Sequence, residues 1–275
     1  MRFLSLCSGI EAASCAWNSL GWEAVAFSEI EPFPCRVLKH HFPDVPNVGD
    51  MTMIKGEEFR GAVDLIVGGT PCQDFSIAGK RAGLDGERSG LAMHFIRIVR
   101  EIQPRWFVWE NVPGAFSTNG GRDFGEFIKA LDEFRYGLAW RVLDAKFFGT
   151  AQRRKRVFLI GNSRTWAAPA KVLFEGEQIN AVLHEKQAER DYLPCIKRSD
   201  GGLTLERLSQ VVFTQEHGFR KLTPLECERL FGFPDGWTDV QGASDTARYN
   251  ALGNSMCVNV MSWLGRRIDE VDKRI

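Results

Sequence analysis

Residues 63 to 76 read VDLIVGGTPCQDFS, a run of β-forming residues and two glycines, with Cys72 directly behind Pro71. A thiol on proline-stiffened backbone at a strand end can be a buried small hydrophobe, a redox centre or a nucleophile. Further on, WENVPG places Glu110 behind another apolar run. A carboxyl whose pKa is lifted by partial burial can donate a proton or a hydrogen bond near neutral pH. A third group is RRKR, Arg153 to Arg156, which follows Gln152 and runs straight into the apolar VFLIG. Charge runs usually face solvent, but one that enters a strand must turn some side chains toward the sheet's crevice. On spacing alone, a structural cysteine and a turn-capping Glu110 stand level with a catalytic pair.

Elements must bring these residues together. The first 165 residues alternate short apolar runs with helical patterns, the signature of βα units and a mainly parallel sheet. Strands are expected at Arg2–Leu6, Ala24–Phe27, Val63–Val67, Trp106–Val108, Trp140–Leu143 and Val157–Ile160. A helix over Ile10–Leu20 should end at Gly21. Another over Ser89–Gln103 should stop at Pro104, with Leu91, Phe95, Ile98, Val99 and Ile102 on one face. From residue 166 to 219 the rhythm is lost, which indicates a small separate subdomain. In LTPLECERLFGFP, Thr223 can cap a helix, Pro224 takes its first position and Glu226 completes a capping box. The segment YNALGNSMCVNVMSWLGRRI reads as a polar loop followed by a helix.

Ligands of open parallel sheets bind beyond the carboxyl ends of the strands. Four clusters occupy those positions: Cys7-Ser8-Gly9-Ile10-Glu11, Ser28-Glu29-Ile30-Glu31, Gly68 through Gln73, and Glu110-Asn111-Val112-Pro113. The first two suit a nucleoside, since a small-residue turn admits a ligand and an acid after the next strand can bind ribose hydroxyls. The turn lacks G-x-G-x-x-G and there is no P-loop, which argues against NAD or ATP and is compatible with a nucleoside without phosphates, such as S-adenosylmethionine, though a lone glycine turn after a strand is more often just a turn.

Bulk properties narrow the class. The 275 residues are 44% hydrophobic and 25% charged, with 35 basic residues against 35 acidic, an ordinary composition for a soluble globular protein of one large and one small domain. A neutral total leaves nucleic acid open, because local charge decides. No apolar run nears the roughly 18 residues of a membrane span, and FLSLC is too short for a signal-peptide core; a cytoplasmic protein is expected. The seven cysteines are scattered without a C-x-x-C, so neither zinc nor a disulfide framework is expected, and Cys72 has no neighbouring redox partner.

Read in order, GGTPCQDFS, WENVPG and QRRKRVFLIG resemble the catalytic motifs of the DNA cytosine-5 methyltransferase family. FLSLCSGIEAAS resembles its cofactor turn, FSEIEP its ribose-binding loop, and RKLTPLECERLFGFPDGW and ALGNSMCVNV its late motifs, in the style of bacterial and phage or prophage members. The resemblance covers nearly the whole chain. It implies a Rossmann-like α/β sheet of the S-adenosylmethionine-dependent kind with a small mixed target-recognition subdomain. Residues 1–165 would form the catalytic and cofactor-binding domain and 166–247 the recognition region with the L-T-P motif; 248–275 would return to the catalytic domain.

It also implies roles. Cys72 is the nucleophile with Gln73 beside it, Glu110 holds the base edge, and Arg156, with Arg154, contacts the base and a nearby phosphate. Ser8, Gly9 and Ile10 form the cofactor turn, Glu29 binds ribose, Ile30 packs on adenine and Asp50 of VGDMT reaches its amine. Met51, Pro71, Asn254 and Ser255 complete the cofactor pocket. Lys80, Arg81 and Arg88, in a glycine-rich loop from Ser76 to Gly90, and Gln152 touch DNA. Lys197, Arg198, Arg207, Gln210 and Gln215 are candidates for base readout, and SDGGLTLE for a recognition loop. The cofactor is S-adenosylmethionine, released as S-adenosylhomocysteine; the partner is double-stranded DNA, met by a monomer in a bacterial or phage-infected cell, with no metal. The sequence departs from the family pattern twice, with Ser5 where many members carry Asp and Glu11-Ala12 where a glycine pair is common. Transfer RNA as substrate, or a silent DNA-binding relative, are the alternatives.

Overall fold

The computed structural model describes residues 1–71, 90–174, 211–214 and 218–275. Cys72, Gln73, Lys80, Arg81, Arg88 and the five base-readout candidates therefore lie outside the described residues, as does SDGGLTLE. Six strands form one sheet: β1 (Arg2–Leu6), β2 (Glu23–Ser28), β3 (Leu65–Gly68), β4 (Trp106–Asn111), β5 (Gly137–Asp144) and β6 (Lys155–Asn162), in the order β2-β1-β3-β4-β6-β5. The first four run parallel, joined by α1 (Ala12–Trp17), α2 (Pro32–His41) and α3 (Leu91–Ile102). The sheet is mainly parallel as expected, but after α4 (Arg122–Asp132) it turns mixed, because β6 pairs antiparallel with both β4 and β5. The connection from β5 to β6 holds only a short 3-10 turn, and parallel return needs a longer crossover.

Alternation along the strands fills both faces. Phe3, Leu65, Val67, Trp106, Val108, Phe158 and Ile160 point to one side, and Leu4, Leu6, Ile66, Phe107, Trp109, Val157 and Leu159 to the other. The second face is covered by α3 and α4 through Phe95, Ile98, Val99, Phe127 and Leu131. The first is covered by α1 and by α5 (Ala168–Phe174), α6 (Pro224–Phe231), α7 (Asp245–Asn254) and α8 (Val258–Asp272). Residues from 168 to 173 and from 222 to 240 thus bury apolar side chains in the same core as the sheet. Between them the described chain is one antiparallel hairpin, β7 (Val211–Thr214) and β8 (Gly218–Lys221).

Local signals behave as their chemistry dictates. Gly21 takes a φ of 67° behind α1 and its 3-10 extension. Thr223 and Glu226 form the full capping box on α6, with Pro224 in the first turn. The stretch expected to be a polar loop, Tyr249–Asn254, is helical instead, because Ser244 caps a helix that buries Ala251, Leu252 and Gly253. The Trp17 indole donates to the Met261 carbonyl at 2.8 Å and so pins α8 to α1.

Candidate active site

The chain reverses direction across the sheet at β1, since β2 lies on one side of it and β3 on the other. A ligand crevice is expected beyond the carboxyl ends at such a point. A cleft opens there, lined by Ser5, Ser8, Gly9, Glu11, Gly69 and Glu110, and closed by Asn254, Ser255 and Met256.

Glu110 is the penultimate residue of β4, inside the strand rather than beyond it. The Arg156 guanidinium donates to its carboxylate at 2.9 Å from neighbouring β6, the two strands pairing Glu110 with Phe158. Burial pushes the Glu110 carboxyl above the usual carboxylate range, and the charges of Arg156 and Arg154 pull it partly back. Gly69 leaves room for this carboxylate: a methyl group there would sit 2.9 Å from Glu110 Oε2.

The backbone leading to Cys72 is anchored to β4. The Trp109 indole donates to Thr70 Oγ1 at 3.1 Å, and the Asn111 amide donates to the Thr70 carbonyl at 2.9 Å. Asn111 Oδ1 in turn accepts from the Val112 N–H at 2.8 Å. Pro71 itself is exposed. Sequence reasoning placed Thr70 and Asn111 in the strand-end clusters without giving them a role and passed over Trp109; the signal available was their place beside the chemistry-bearing residues in adjoining strands.

On the cofactor side, Glu29 ties the two loops together. Its carboxylate accepts from the N–H groups of Gly9 at 2.7 Å and of Ile30 and Glu31, each at 2.8 Å. That leaves acceptor capacity free for a ribose hydroxyl. Ile30 beside it is 67% exposed, a large apolar side chain with nothing covering it, as a platform for a purine requires. Asp50 is exposed and caps a 3-10 turn by accepting from the Thr52 N–H at 2.8 Å. Met51 is buried, with the Cys7 thiol 3.4 Å from its sulfur. An acid, an exposed apolar side chain and a small-residue turn without a phosphate cradle fit S-adenosylmethionine.

Three expected residues take other positions. Ile10 packs in the core, and its carbonyl accepts from the Trp237 indole at 2.8 Å; that indole stacks on His41 at 3.8 Å. Arg154 is buried and donates to the carbonyls of Gly253 at 3.1 Å and Ser255 at 2.6 Å, its guanidinium 4.9 Å over the Phe231 ring. It therefore docks the Asn254–Met256 wall on the sheet rather than facing a base. Gln152 has 0% exposure, and among the described residues its amide has no hydrogen-bond partner, so it is not a surface DNA contact. The loop carrying it is drawn shut by Thr150 Oγ1 donating to the Ala145 carbonyl at 2.9 Å and by the Arg154 N–H donating to Asp144 at 3.0 Å. Along the run into β6, Arg153 and Lys155 are exposed, Arg154 is buried and Arg156 is half-buried. Among the described residues there is no metal-binding cluster and no helix long and apolar enough to cross a membrane.

Known proteins place this architecture. The model of the C-5 cytosine-specific DNA methylase family matches residues 1–192 and 173–270. A methyltransferase of Bacillus subtilis, "Type II methyltransferase M2.BsuMI", is 28% identical over 300 residues, with 98% of this chain and 76% of the relative covered. A protein of Escherichia phage P1 named "DNA N-6-adenine-methyltransferase" is 29% identical over 456 residues; the match takes in 96% of this chain but spans only 60% of that relative's length. The crystal structure of the Dnmt2 methyltransferase of S. pombe superposes with a TM-score of 0.74 at 19% identity, over 99% of both chains, and shares the fold. With a family model matched from its first residue to its 270th, the chain belongs to the C-5 cytosine-specific DNA methylases, a family of S-adenosylmethionine-dependent methyltransferases.

Proposed function

We propose that this protein methylates C5 of cytosine in double-stranded DNA. The observation that carries the reading is the Glu110–Arg156 pair, 2.9 Å apart at the wall of the cleft shared with the Ser8–Gly9 turn. C5 of cytosine is a poor nucleophile until C6 is saturated. In the proposed mechanism the Cys72 thiolate forms a bond to C6, with electron density passing through the ring toward N3 and C5. Glu110, with its proton affinity raised by burial, holds the N3 edge and exocyclic amine as that density arrives. Arg156 fixes the carboxyl and is the residue of the pair available to the base O2. When bound between Glu29, Ile30, Asp50 and the Ser8–Gly9 turn, S-adenosylmethionine supplies the methyl group that C5 takes up, and S-adenosylhomocysteine remains. Loss of the C5 proton then expels the Cys72 thiolate and leaves 5-methylcytosine. A stacked base cannot be reached in this way, so the cytosine is flipped out of the duplex. Lys80, Arg81 and Arg88 are proposed phosphate contacts, and residues 166–247 the region that chooses the target.

The test is a covalent trap. With S-adenosylmethionine and DNA carrying 5-fluorocytosine, the proton that must leave is absent, so a protein–DNA adduct should accumulate and should be lost in Cys72→Ser. Absence of any adduct across diverse duplexes would overturn the reading. The name of the phage P1 relative favours one rival, transfer to the adenine amino group. That amine needs no covalent activation, so methylated adenine formed undiminished by Cys72→Ser would establish it. Transfer RNA assayed in parallel distinguishes the remaining substrate.

A further inference from the structure

Glu11 lies at the turn between β1 and α1, on the wall of the cofactor cleft, and is wholly buried. Its backbone is in the left-handed region, φ 62°, which turns the side chain back toward β1. Ser5 Oγ donates to Oε2 at 2.8 Å, while the Ser14 N–H and hydroxyl both donate to Oε1 at 3.0 Å. These are neutral donors. Among the described residues no arginine or lysine pairs with it. The titratable groups that bear on it are Glu29, from the loop after β2, and the Cys15 thiol of α1, with Glu110 across the cleft. Glu29 is acidic and adds to the negative field. Burying a carboxylate without a cation is costly, and a perturbed carboxyl on a cleft wall is a candidate partner for a ligand's charge. Ser5, on β1, reaches across the turn to hold the carboxylate of Glu11.

We infer that Glu11 is the counter-charge for the cationic cofactor, and that it lets the cleft tell S-adenosylmethionine from its product. The inference rests on the proposed cofactor. S-adenosylmethionine carries an ammonium, a carboxylate and a sulfonium, and is net positive; S-adenosylhomocysteine has lost the sulfonium and is net neutral. The buried carboxylate, when ionised, therefore favours the substrate form and weakens its hold when the methyl group has gone. Glu11 is a positioning residue in this role, acting on the bound charge through the cleft wall. Burial lifts its carboxyl to about 7, against the pull of Ser5 and Ser14. The discrimination should accordingly be full above that pH and fade below it.

Calorimetric binding to the full chain tests this with three ligands: S-adenosylmethionine, S-adenosylhomocysteine, and sinefungin, whose protonated amine replaces the sulfonium. At about pH 8, Glu11→Gln should cut the preference for the two cationic ligands over the neutral product by about tenfold, the effect of one charge at moderate effective dielectric. In the wild-type chain the same preference should fall as pH drops through about 7, and in Glu11→Gln it should be flat. Equal preferences in the two proteins at about pH 8 would overturn the inference. If Glu11→Gln does not fold, Ser5→Ala decides: removing a donor that favours the ionised form must move the wild-type midpoint upward, and an unmoved midpoint overturns it. Failure of all three ligands to bind the wild-type chain would sink the cofactor assignment itself, whereas binding with an unaltered preference sinks this inference alone.

Discussion

At the scale of single residues, chemistry here depends on which way a side chain leaves its strand. Glu110 and Arg156 were legible because each sits in a distinctive motif, and the structure brings them to 2.9 Å. Arg154 and Gln152 were not, since period-two alternation sends both inward, and no sequence signal fixes the phase of the strand they enter. Replacing Glu110 with Gln keeps the shape and one acceptor oxygen but removes the charge that Arg156 binds. Methyl transfer should fall by roughly 10² or more, the usual worth of a positioned acid or base, while calorimetry finds cofactor affinity unchanged. Loss of affinity instead would move Glu110 to the cofactor side. Glu11 yields a stability prediction whose sign follows from its raised carboxyl. The folded state holds the proton more tightly than the unfolded chain, so the stability it lends is present below about 4.5 and is lost as pH rises through about 7. Ligand-free Glu11→Gln, which never bears that buried charge, should therefore be the more stable protein at about pH 8, by at most about 3 kcal/mol, with the gap closing near pH 4.5. Urea denaturation at the two pH values measures it.

At the scale of elements, the strand positions were readable to within a few residues, and β1 matched at both ends. The antiparallel placement of β6 between β4 and β5 was not, because pairing partners are set by tertiary packing that a run such as VFLIG does not encode. The helix over Tyr249–Asn254 escaped notice for a related reason: its polar residues face out, and its small buried face carries little periodic signal. Gly265 in α8 is a test of which effect wins. Alanine there should gain about 1 kcal/mol in helix propensity. Its methyl group would, however, meet the Trp17 ring at 2.4 Å, and Trp17 is fully buried and bonded to Met261. Overpacking against a ring that cannot retreat typically costs 1–3 kcal/mol (~2), so Gly265→Ala should lower Tm rather than raise it. Asn111→Ala releases the Thr70 carbonyl and the Val112 N–H together. A loss of about 2 kcal/mol in stability is expected from two hydrogen bonds, with a larger proportional loss of methyl transfer than of cofactor affinity. Equal losses in both would show that the Thr70 anchor does not serve the proposed nucleophile.

At the scale of the whole molecule, 35 positive and 35 negative charges cancel, so overall charge offers no long-range attraction for DNA. Salt dependence of binding should then count local phosphate contacts, at about 0.9 in logarithmic slope for each. Changing Lys80, Arg81 and Arg88 to Gln should flatten that slope, and an unchanged slope would remove them from the interface. The proposed recognition region was the least legible part, because base readout needs only a few polar side chains and the sequence between residues 166 and 219 carries no periodic trace. What joins the distant parts is the turn at Ser8 to Glu11, held from behind by the Trp237 indole on the Ile10 carbonyl. That indole lies flat on the His41 ring, 3.8 Å away at 7°, and burial lowers the imidazole's proton affinity. A protonated imidazole in face contact quenches indole emission, so the wild-type minus Trp237→Phe difference should be bright at neutral pH and dim only in mild acid. The molecule thus carries its own optical probe one hydrogen bond from the cofactor turn, and occupancy could be followed by fluorescence without a label.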